Sequence, residues 1–305
     1  MVASRCQTSS TDNATKVRPG PASALAALEL RPSRARGQSF LVQAGIARKI
    51  VARCGVEPGT EVVEIGPGLG ALTDLLLAQK PRRMTLIELD RRLAQALGAR
   101  FGADSRVNIV NADFLTVEPA AVVESPPVVV VGNLPFSVGA AILDRLSRWV
   151  PIVMRAVLMF QREVADRIRA HPGSRSYGAL SVFSALYWEF EGHFRVGAGN
   201  FYPRPKVDAE VLVMKPRRER LFERDQEQAL LKLVRAAFAA PRKTLRRSLS
   251  GALGADTRKV AAVLEAGGLD ERVRPSDLSA ADYARLLQVV RREPALDAVL
   301  GAVDA

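Results

Sequence analysis

The chain has 305 residues, and 48% of them are hydrophobic, which is enough for one large domain and a smaller one. Its 44 Lys and Arg outnumber its 32 Asp and Glu, so the formal net charge is +12. This excess predicts a polyanionic partner, with nucleic acid first and an anionic membrane surface second. No apolar run approaches the roughly 18 residues of a transmembrane helix, so we expect no membrane insertion.

The cysteines and histidines are too few and too scattered for a metal site. Neither Cys6 nor Cys54 has a metal-ligand spacing to His171 or His193. Two cysteines also exclude a disulfide framework. We therefore predict no bound metal and a reducing, cytoplasmic location.

The first 33 residues are rich in Ser, Thr, Ala and Pro, and they lack the apolar core of a secretory signal. Their arginines and serines are also compatible with an organellar transit peptide, although Asp12 and Glu29 argue against it. We predict a disordered basic tail over 1–33.

From Val62 to about Met214, within a domain that we assign to 34–215, short apolar runs alternate with longer amphipathic runs. The apolar runs are typical of strands, and they are VVEI (62–65), MTLIEL (84–89), VNIV (107–110), VVVV (128–131), AVLMF (156–160) and EVLVM (210–214). The helical candidates between them are ALTDLLLAQ (71–79), RRLAQALGARF (91–101) and AAILDRLSRW (140–149). This alternation predicts an α/β domain with a parallel sheet and helices on both faces.

The valine-rich strands stop after Lys215. Helical spacing of apolar residues then predicts a small all-helical domain over 216–290, followed by a C-terminal tail over 291–305. The candidate helices of this domain are 225–239, 243–254, 257–266 and 279–291.

The segment VVEIGPGLGALTDLLL (62–77) combines a strand, a glycine turn and a helix. Gly66 and Gly68 would let the backbone pass close to a ligand, and Gly70 would let the helix approach the strand. The spacing differs from the G-x-G-x-x-G of dinucleotide binders, and a tight connection alone would also explain it.

Two acidic residues follow at the ends of the next strands. Glu88 lies where a carboxylate can accept from both hydroxyls of a ribose, and Asp113 lies where it can accept from an adenine amino group. Either acid alone could simply cap a helix. Together with the glycine turn they predict a nucleoside pocket at the carboxyl ends of the strands.

GNLPF (132–136) follows the fourth strand, where a lone Asn-x-Pro is also ordinary turn chemistry. With the preceding features, the chain resembles the KsgA-type ribosomal RNA adenine dimethyltransferases over about 34–290. Besides GNLPF, the segments that carry the resemblance are RARGQSFL (34–41), VEIGPGLGALT (63–73), IELD (87–90), NADFL (111–115), FQREVADRI (160–168), PGSRSYGALSV (172–182), FYPRPKVDAEV (201–211) and RKTLRRSL (242–249).

The resemblance implies a Rossmann-like class I methyltransferase sheet with a small C-terminal all-helical domain, and S-adenosylmethionine as cofactor. Ser39 stands where the family usually has Asn, which implies a weaker contact with the cofactor. The implied cofactor contacts are Ser39, Leu41, Gly66, Gly68, Glu88, Asp113 and Asn133.

The N-x-P-aromatic motif suits methylation of an adenine amino group. The Asn133 side-chain oxygen and the Leu134 carbonyl would accept its hydrogens, and Pro135 would restrict Leu134 so that this carbonyl is aimed. Phe136, where Tyr is commoner in the family, would stack on the base. The resemblance implies that Phe201 holds the other face of that base.

A basic cluster follows in PRKTLRR (241–247), where Arg242, Lys243, Arg246 and Arg247 fall within two helical turns. With Arg34, Arg36 and the tail they could form a phosphate-binding surface, and the alternative, which we favour less, is a solvated helix face.

The resemblance implies a monomer that acts on small-subunit (16S-type) rRNA in a pre-30S-type particle. The target would be two adjacent adenosines of the 3′-terminal hairpin loop, each dimethylated. The alternatives are a resistance-type methyltransferase of one large-subunit rRNA adenine, a non-catalytic RNA-binding assembly factor of the same fold, and a nicotinamide dehydrogenase.

Overall fold

The computed structural model describes residues 20–32, 37–270 and 272–301. Its centre is a seven-stranded mixed sheet with the spatial order β4-β3-β2-β5-β6-β9-β7, and β1 and β8 form a separate antiparallel pair. The strands are β1 (Phe40–Leu41), β2 (Glu61–Ile65), β3 (Arg83–Glu88), β4 (Val107–Asn111), β5 (Val128–Asn133), β6 (Val153–Gln161), β7 (Trp188–Val196), β8 (Phe201–Tyr202) and β9 (Ala209–Pro216).

The buried valines of β5 form the middle of this sheet. Val128 and Val130 point into the core on one face, and Val129 and Val131 point into the core on the other. Strands β2 to β6 run parallel, as the β-branched apolar runs predict. Both faces must therefore be covered by helices.

The predicted parallel sheet has antiparallel pairings at one edge. Strand β9 pairs antiparallel with β6, and β7 pairs antiparallel with β9. The connection over 197–208 contains no crossover helix, so it can only return the chain beside β7 in the opposite direction.

Helices cover both faces, as predicted. One face carries α2 (Ala44–Cys54), α3 (Thr73–Ala78) and α4 (Arg91–Phe101), whose apolar residues pack on β2 and β5. The other face carries α5 (Gly139–Ser147) and α6 (Arg162–Ile168). The observed ends of α3, α4 and α5 lie within about two residues of the predicted ones, as expected for boundaries set by capping.

The core of the C-terminal helices includes buried residues from the predicted sheet domain. Tyr177, Val182 and Leu186, the latter two on α7 (Ala179–Tyr187), are buried among these helices, and the Tyr177 hydroxyl donates to the Leu278 carbonyl at 2.7 Å. The core therefore crosses the predicted boundary at 216. The helices are α8 (Glu227–Ala237), α9 (Leu245–Leu253), α10 (Thr257–Ala266), α11 (Ala280–Val290) and α12 (Pro294–Gly301).

Each of the two predicted tails contains a short helix. Helix α1 (Pro21–Ala27) lies within 1–33 and buries Leu25, and α12 lies within 291–305 and buries Leu296 and Leu300. Both were hidden because a helix of seven or eight residues with one or two anchoring leucines has little periodic signal. None of the helices in the described ranges is long and apolar enough to cross a membrane.

The shared core predicts one cooperative unfolding transition. Replacing the buried Leu186 by Ala should lower the free energy of unfolding by about 2–5 kcal/mol, because it leaves a cavity between the two parts. The fluorescence of Trp149 and Trp188 reports on the sheet core, and far-ultraviolet circular dichroism reports on all helices. Urea curves from both probes should coincide and shift together.

The matched control is Leu89→Ala, because that leucine is 56% exposed and its loss should change the free energy by less than about 0.5 kcal/mol. Two separate transitions in the unaltered protein would contradict the shared core.

Candidate active site

The parallel register brings several predicted site residues to one edge of the sheet. Ile65 at the end of β2 pairs with β3 on one side and with β5 on the other. Gly66, Glu88 and Asn133 therefore lie at neighbouring strand ends, where a cleft opens. The predicted residues in its lining are Ser39, Leu41, Gly66, Gly68, Glu88, Asn133, Leu134, Pro135 and Phe136.

The glycine turn forms the floor of the cleft. Gly66, Gly68 and Gly70 have φ angles of +64°, +57° and +74°, which L side chains rarely adopt. A Cβ on Gly68 would lie 3.0 Å from the Phe40 ring, so this glycine lets the ring close over the turn. A Cβ on Gly70 would lie 3.0 Å from the ring of Phe101 on α4. Gly70 therefore makes room for α4, whereas the prediction was that it lets α3 approach the strand.

Glu88 is a buried carboxylate, only 5% exposed, in the wall of the cleft. Its two oxygens accept from the backbone N–H groups of Gly68 at 3.0 Å and Asp90 at 2.9 Å. Burial raises the pKa of Glu88 above its ordinary value, and these two hydrogen bonds oppose the rise. Each oxygen retains lone-pair capacity, so the group can also accept from a pair of hydroxyls.

The Asn133 side chain is oriented by a hydrogen bond to the backbone of Ser39. Its Nδ2 donates to the Ser39 carbonyl at 2.9 Å, across 94 residues of sequence. This contact turns the amide nitrogen toward Ser39 and leaves Oδ1 as an acceptor. The residue at position 39 makes this contact through its backbone, so the contact does not depend on the Ser39 side chain, whose contact with the cofactor remains a prediction.

The rest of GNLPF is fixed by backbone contacts. The buried Leu134 donates its N–H to the Met159 carbonyl at 3.2 Å, and the Pro135 carbonyl accepts from Val138 N–H at 3.2 Å. Phe136 lines the cleft and is partly buried. The motif is therefore a rigid turn between β5 and α5.

Phe201 lies outside the cleft and contacts the cleft residue Phe136. It is only 4% exposed, it pairs with Leu41 in the β1–β8 ladder, and it is not part of the cleft lining. Its ring meets Phe136 edge-on, with ring centroids 6.3 Å apart and an interplanar angle of 70°. In this arrangement it supports Phe136, and its contact with a base remains a prediction.

Asp113 caps a short helix, which is the alternative role that the sequence allowed for it. Its Oδ1 accepts from Leu115 N–H at 2.9 Å and begins a short 3-10 helix over Phe114–Thr116. Asp113 is not among the residues that line the cleft. Its cofactor contact therefore remains a prediction.

Three residues at this edge were not identified from the sequence, and they are Glu64, Leu89 and Asn111. Glu64 is a buried cleft residue whose Oε2 accepts from the Thr73 hydroxyl at 2.7 Å. Asn111 Nδ2 donates to the carbonyl of Glu88 at 2.8 Å and to that of Leu89, which is exposed, at 3.2 Å. Two sequence signals could have identified the first two: Glu64 is a charge inside the apolar run VVEI, and Leu89 is an apolar residue directly after Glu88.

The basic cluster differs from the prediction at its start. Helix α9 begins at Leu245 with Thr244 as its N-cap, so Arg242 and Lys243 lie in the preceding turn and not on the helix. Arg242, Lys243 and Arg247 are exposed, whereas Arg246 is partly buried. Arg34 and Arg36 lie outside the described residues.

Within the described residues no group of three or more His, Cys, Asp and Glu could hold a metal ion. Cys54 is buried, and burial raises the pKa of its thiol to about 12, so it is inert as a ligand. Cys6 lies outside the described residues.

Known proteins are similar to this chain in both sequence and fold. Residues 31–291 match a family model described as "Ribosomal RNA adenine dimethylase". The Ribosomal RNA small subunit methyltransferase A of Syntrophotalea carbinolica is 37% identical over 262 residues, which cover 86% of this chain and 97% of the relative. That of Streptomyces avermitilis is 36% identical over 268 residues, which cover 86% and 90%.

Two solved structures have the same architecture. A dimethyladenosine transferase from Plasmodium falciparum has a TM-score of 0.73 at 23% identity, covering 84% of this chain and 98% of that one. The 23S rRNA methyltransferase ErmE has a TM-score of 0.61 at 28% identity, covering 82% and 98%. These neighbours confirm the predicted Rossmann-like methyltransferase fold with C-terminal helices.

The match includes the cleft, the Asn-Leu-Pro-Phe turn and most of the C-terminal helices. Because the family model spans 31–291 and the relatives align over nearly their whole length, the chain belongs to the ribosomal RNA adenine dimethylase family.

Proposed function

We propose that the protein transfers methyl groups to N6 of two adjacent adenosines in the 3′-terminal hairpin loop of small-subunit rRNA, and dimethylates each. The observation that carries this proposal is the Asn133 amide, oriented by the Ser39 carbonyl at the end of β5. The small-subunit target is supported by the names of the relatives, which are 34–37% identical, whereas the large-subunit enzyme ErmE is 28% identical.

The cleft suits S-adenosylmethionine, the methyl donor of this enzyme. Glu88 would hold the ribose hydroxyls, the glycine turn at Gly68 would allow close backbone contact, and Phe40 and Leu93 supply apolar walls. The exposed Leu89 beside Glu88 offers further apolar surface for a purine. When bound, the cofactor supplies an electrophilic methyl group on its sulfonium sulfur.

The Asn133 turn would make the adenine amino group reactive. The N6 lone pair is delocalised into the ring, so the nitrogen is a poor nucleophile until its geometry moves toward tetrahedral. Asn133 Oδ1 and the Leu134 carbonyl would accept the two amino hydrogens and stabilise that geometry. Catalysis would then come mainly from positioning and fixed dipoles. No strong general base is required, because a methylated, cationic N6 readily loses a proton.

Base and RNA binding complete the proposal. Phe136 would stack on the extruded adenine, and Phe201 would support or flank it. Extrusion costs less from a loop, where bases are already partly unstacked. The exposed cations Arg242, Lys243 and Arg247 would contact phosphates. A pre-30S-type particle as substrate, a monomeric state and a cytoplasmic location remain predictions.

Asn133→Ala and Ser39→Ala form a matched pair that tests the chemistry. Asn133→Ala should lower the single-turnover rate of methyl transfer by about 100-fold or more, comparable to removing one preorganised polar group. Ser39→Ala should keep that rate within about twofold at saturating cofactor, because the hydrogen bond that orients Asn133 comes from the Ser39 carbonyl. Rates are measured with isotopically labelled cofactor and undermethylated small subunits.

Unchanged methylation in Asn133→Ala would refute the proposed active site, whereas a lack of methylation by the unaltered protein would favour an RNA-binding role without catalysis. A rate loss in Ser39→Ala as large as that in Asn133→Ala would show that the serine hydroxyl itself is required.

Cofactor affinity should depend on pH through Glu88. The ionised carboxylate is the better acceptor, so affinity should fall as the pH falls through the raised pKa of Glu88, beginning above the pH at which an ordinary glutamate titrates. Glu88→Gln should weaken binding by about tenfold or more at neutral pH and remove most of this dependence. Calorimetry over a pH series measures both. An equal pH dependence in both proteins would exclude Glu88 as its source.

A further inference from the structure

Helix α1 lies before the segment that matches the family model, which begins at residue 31. It buries one side chain, Leu25, which is 3% exposed and clusters with Phe40 and Leu93. This small cluster is separate from the three larger cores of the described residues. Helix α1 is therefore not needed to complete those cores.

Both buried partners of Leu25 are walls of the cofactor cleft. Phe40 closes over the glycine turn, where a Cβ on Gly68 would lie 3.0 Å from its ring. Leu93 stands on the first turn of α4, directly beyond the strand that ends in Glu88. Leu69, a third cleft residue, packs at the rim of the same cluster. Helix α1 therefore packs against the part of the cleft in which Glu88 would hold the ribose.

A second attachment ties the end of α1 to α4. Arg92 Nη1 donates to the Glu29 carbonyl at 3.2 Å, and the Leu30 N–H donates to the Leu25 carbonyl at 2.8 Å. Arg92 also belongs to the first turn of α4. Helix α1 and the cleft wall at Leu93 are therefore connected through the same turn.

The remainder of α1 packs loosely. An open, largely apolar cavity separates Pro21, Ala24 and Leu28 from α2, α3 and α4, and it reaches Gly68 and Leu69 of the cleft. The attachments found among the described residues are the buried Leu25, the partly buried Leu28 and Leu30 of the same cluster, and the hydrogen bond from Arg92. Such a helix can detach without disturbing the larger cores.

We propose that α1 is a closing element of the cofactor cleft, and that Leu25 is a positioning residue which holds Phe40 and Leu93 against the bound nucleoside. This inference rests on the cofactor site described above. Each methyl group consumes one cofactor molecule, so the nucleoside product must leave and be replaced several times during dimethylation. The attachment of α1 sets the rate of that exchange.

The test compares Leu25→Asn with Ala26→Asn in the full chain. Leu25→Asn should raise both the Kd and the dissociation rate of S-adenosylmethionine by about tenfold, because burial of the leucine stabilises only the closed state. KM for the cofactor should rise in parallel, while kcat and the unfolding midpoint should change little. Ala26→Asn places the same residue on the exposed side of the helix and should change none of these.

Arg92→Gln removes the second attachment and should give an intermediate increase in the dissociation rate. Unchanged cofactor Kd and dissociation rate in Leu25→Asn would overturn the proposal. A joint fall of kcat and the unfolding midpoint, without a selective change in KM, would also overturn it, since that pattern marks a purely structural role. Calorimetry and stopped-flow release need no RNA, so failure of the proposed RNA target would be recognised separately.

Discussion

The site depends on the parallel pairing of β5 between β2 and β6. The four valines of β5 are buried on both faces, and their pairing fixes the register that brings Gly66, Glu88 and Asn133 to neighbouring strand ends. A slip by one residue would exchange the two faces of the strand and move Asn133 away from Ser39. The hydrophobic core thus determines where the polar chemistry lies.

The hydrogen bond from Asn133 to the Ser39 carbonyl converts that register into chemistry. It selects which end of the amide faces the cleft, so the oxygen remains as an acceptor for an amino group. The β1–β8 ladder holds the segment that carries Ser39, and it also places Phe201 behind Phe136. This contact uses a backbone atom of Ser39, so it does not depend on which side chain stands at position 39.

Local patterns predicted the parts of the fold that local forces determine. Buried runs such as VVVV, the glycine turn and the spacing of apolar residues in α4 identify strands, a nucleotide-binding turn and helices. The antiparallel β9 and the burial of Leu186 under the C-terminal helices depend on distant contacts, so no window of sequence contains them. The capping role of Asp113 could not be predicted from the sequence, because capping and nucleotide binding favour the same residue type at the same position.

The most direct test of the account is to map the nucleotides that the protein methylates. Undermethylated small subunits and purified large subunits would each be incubated with the protein and labelled S-adenosylmethionine, and the modified positions would be located by mass spectrometry. The account predicts N6,N6-dimethyladenosine at two adjacent adenosines in the 3′-terminal hairpin loop of small-subunit rRNA. Label confined to a large-subunit adenine, or no label although the cofactor binds, would contradict it.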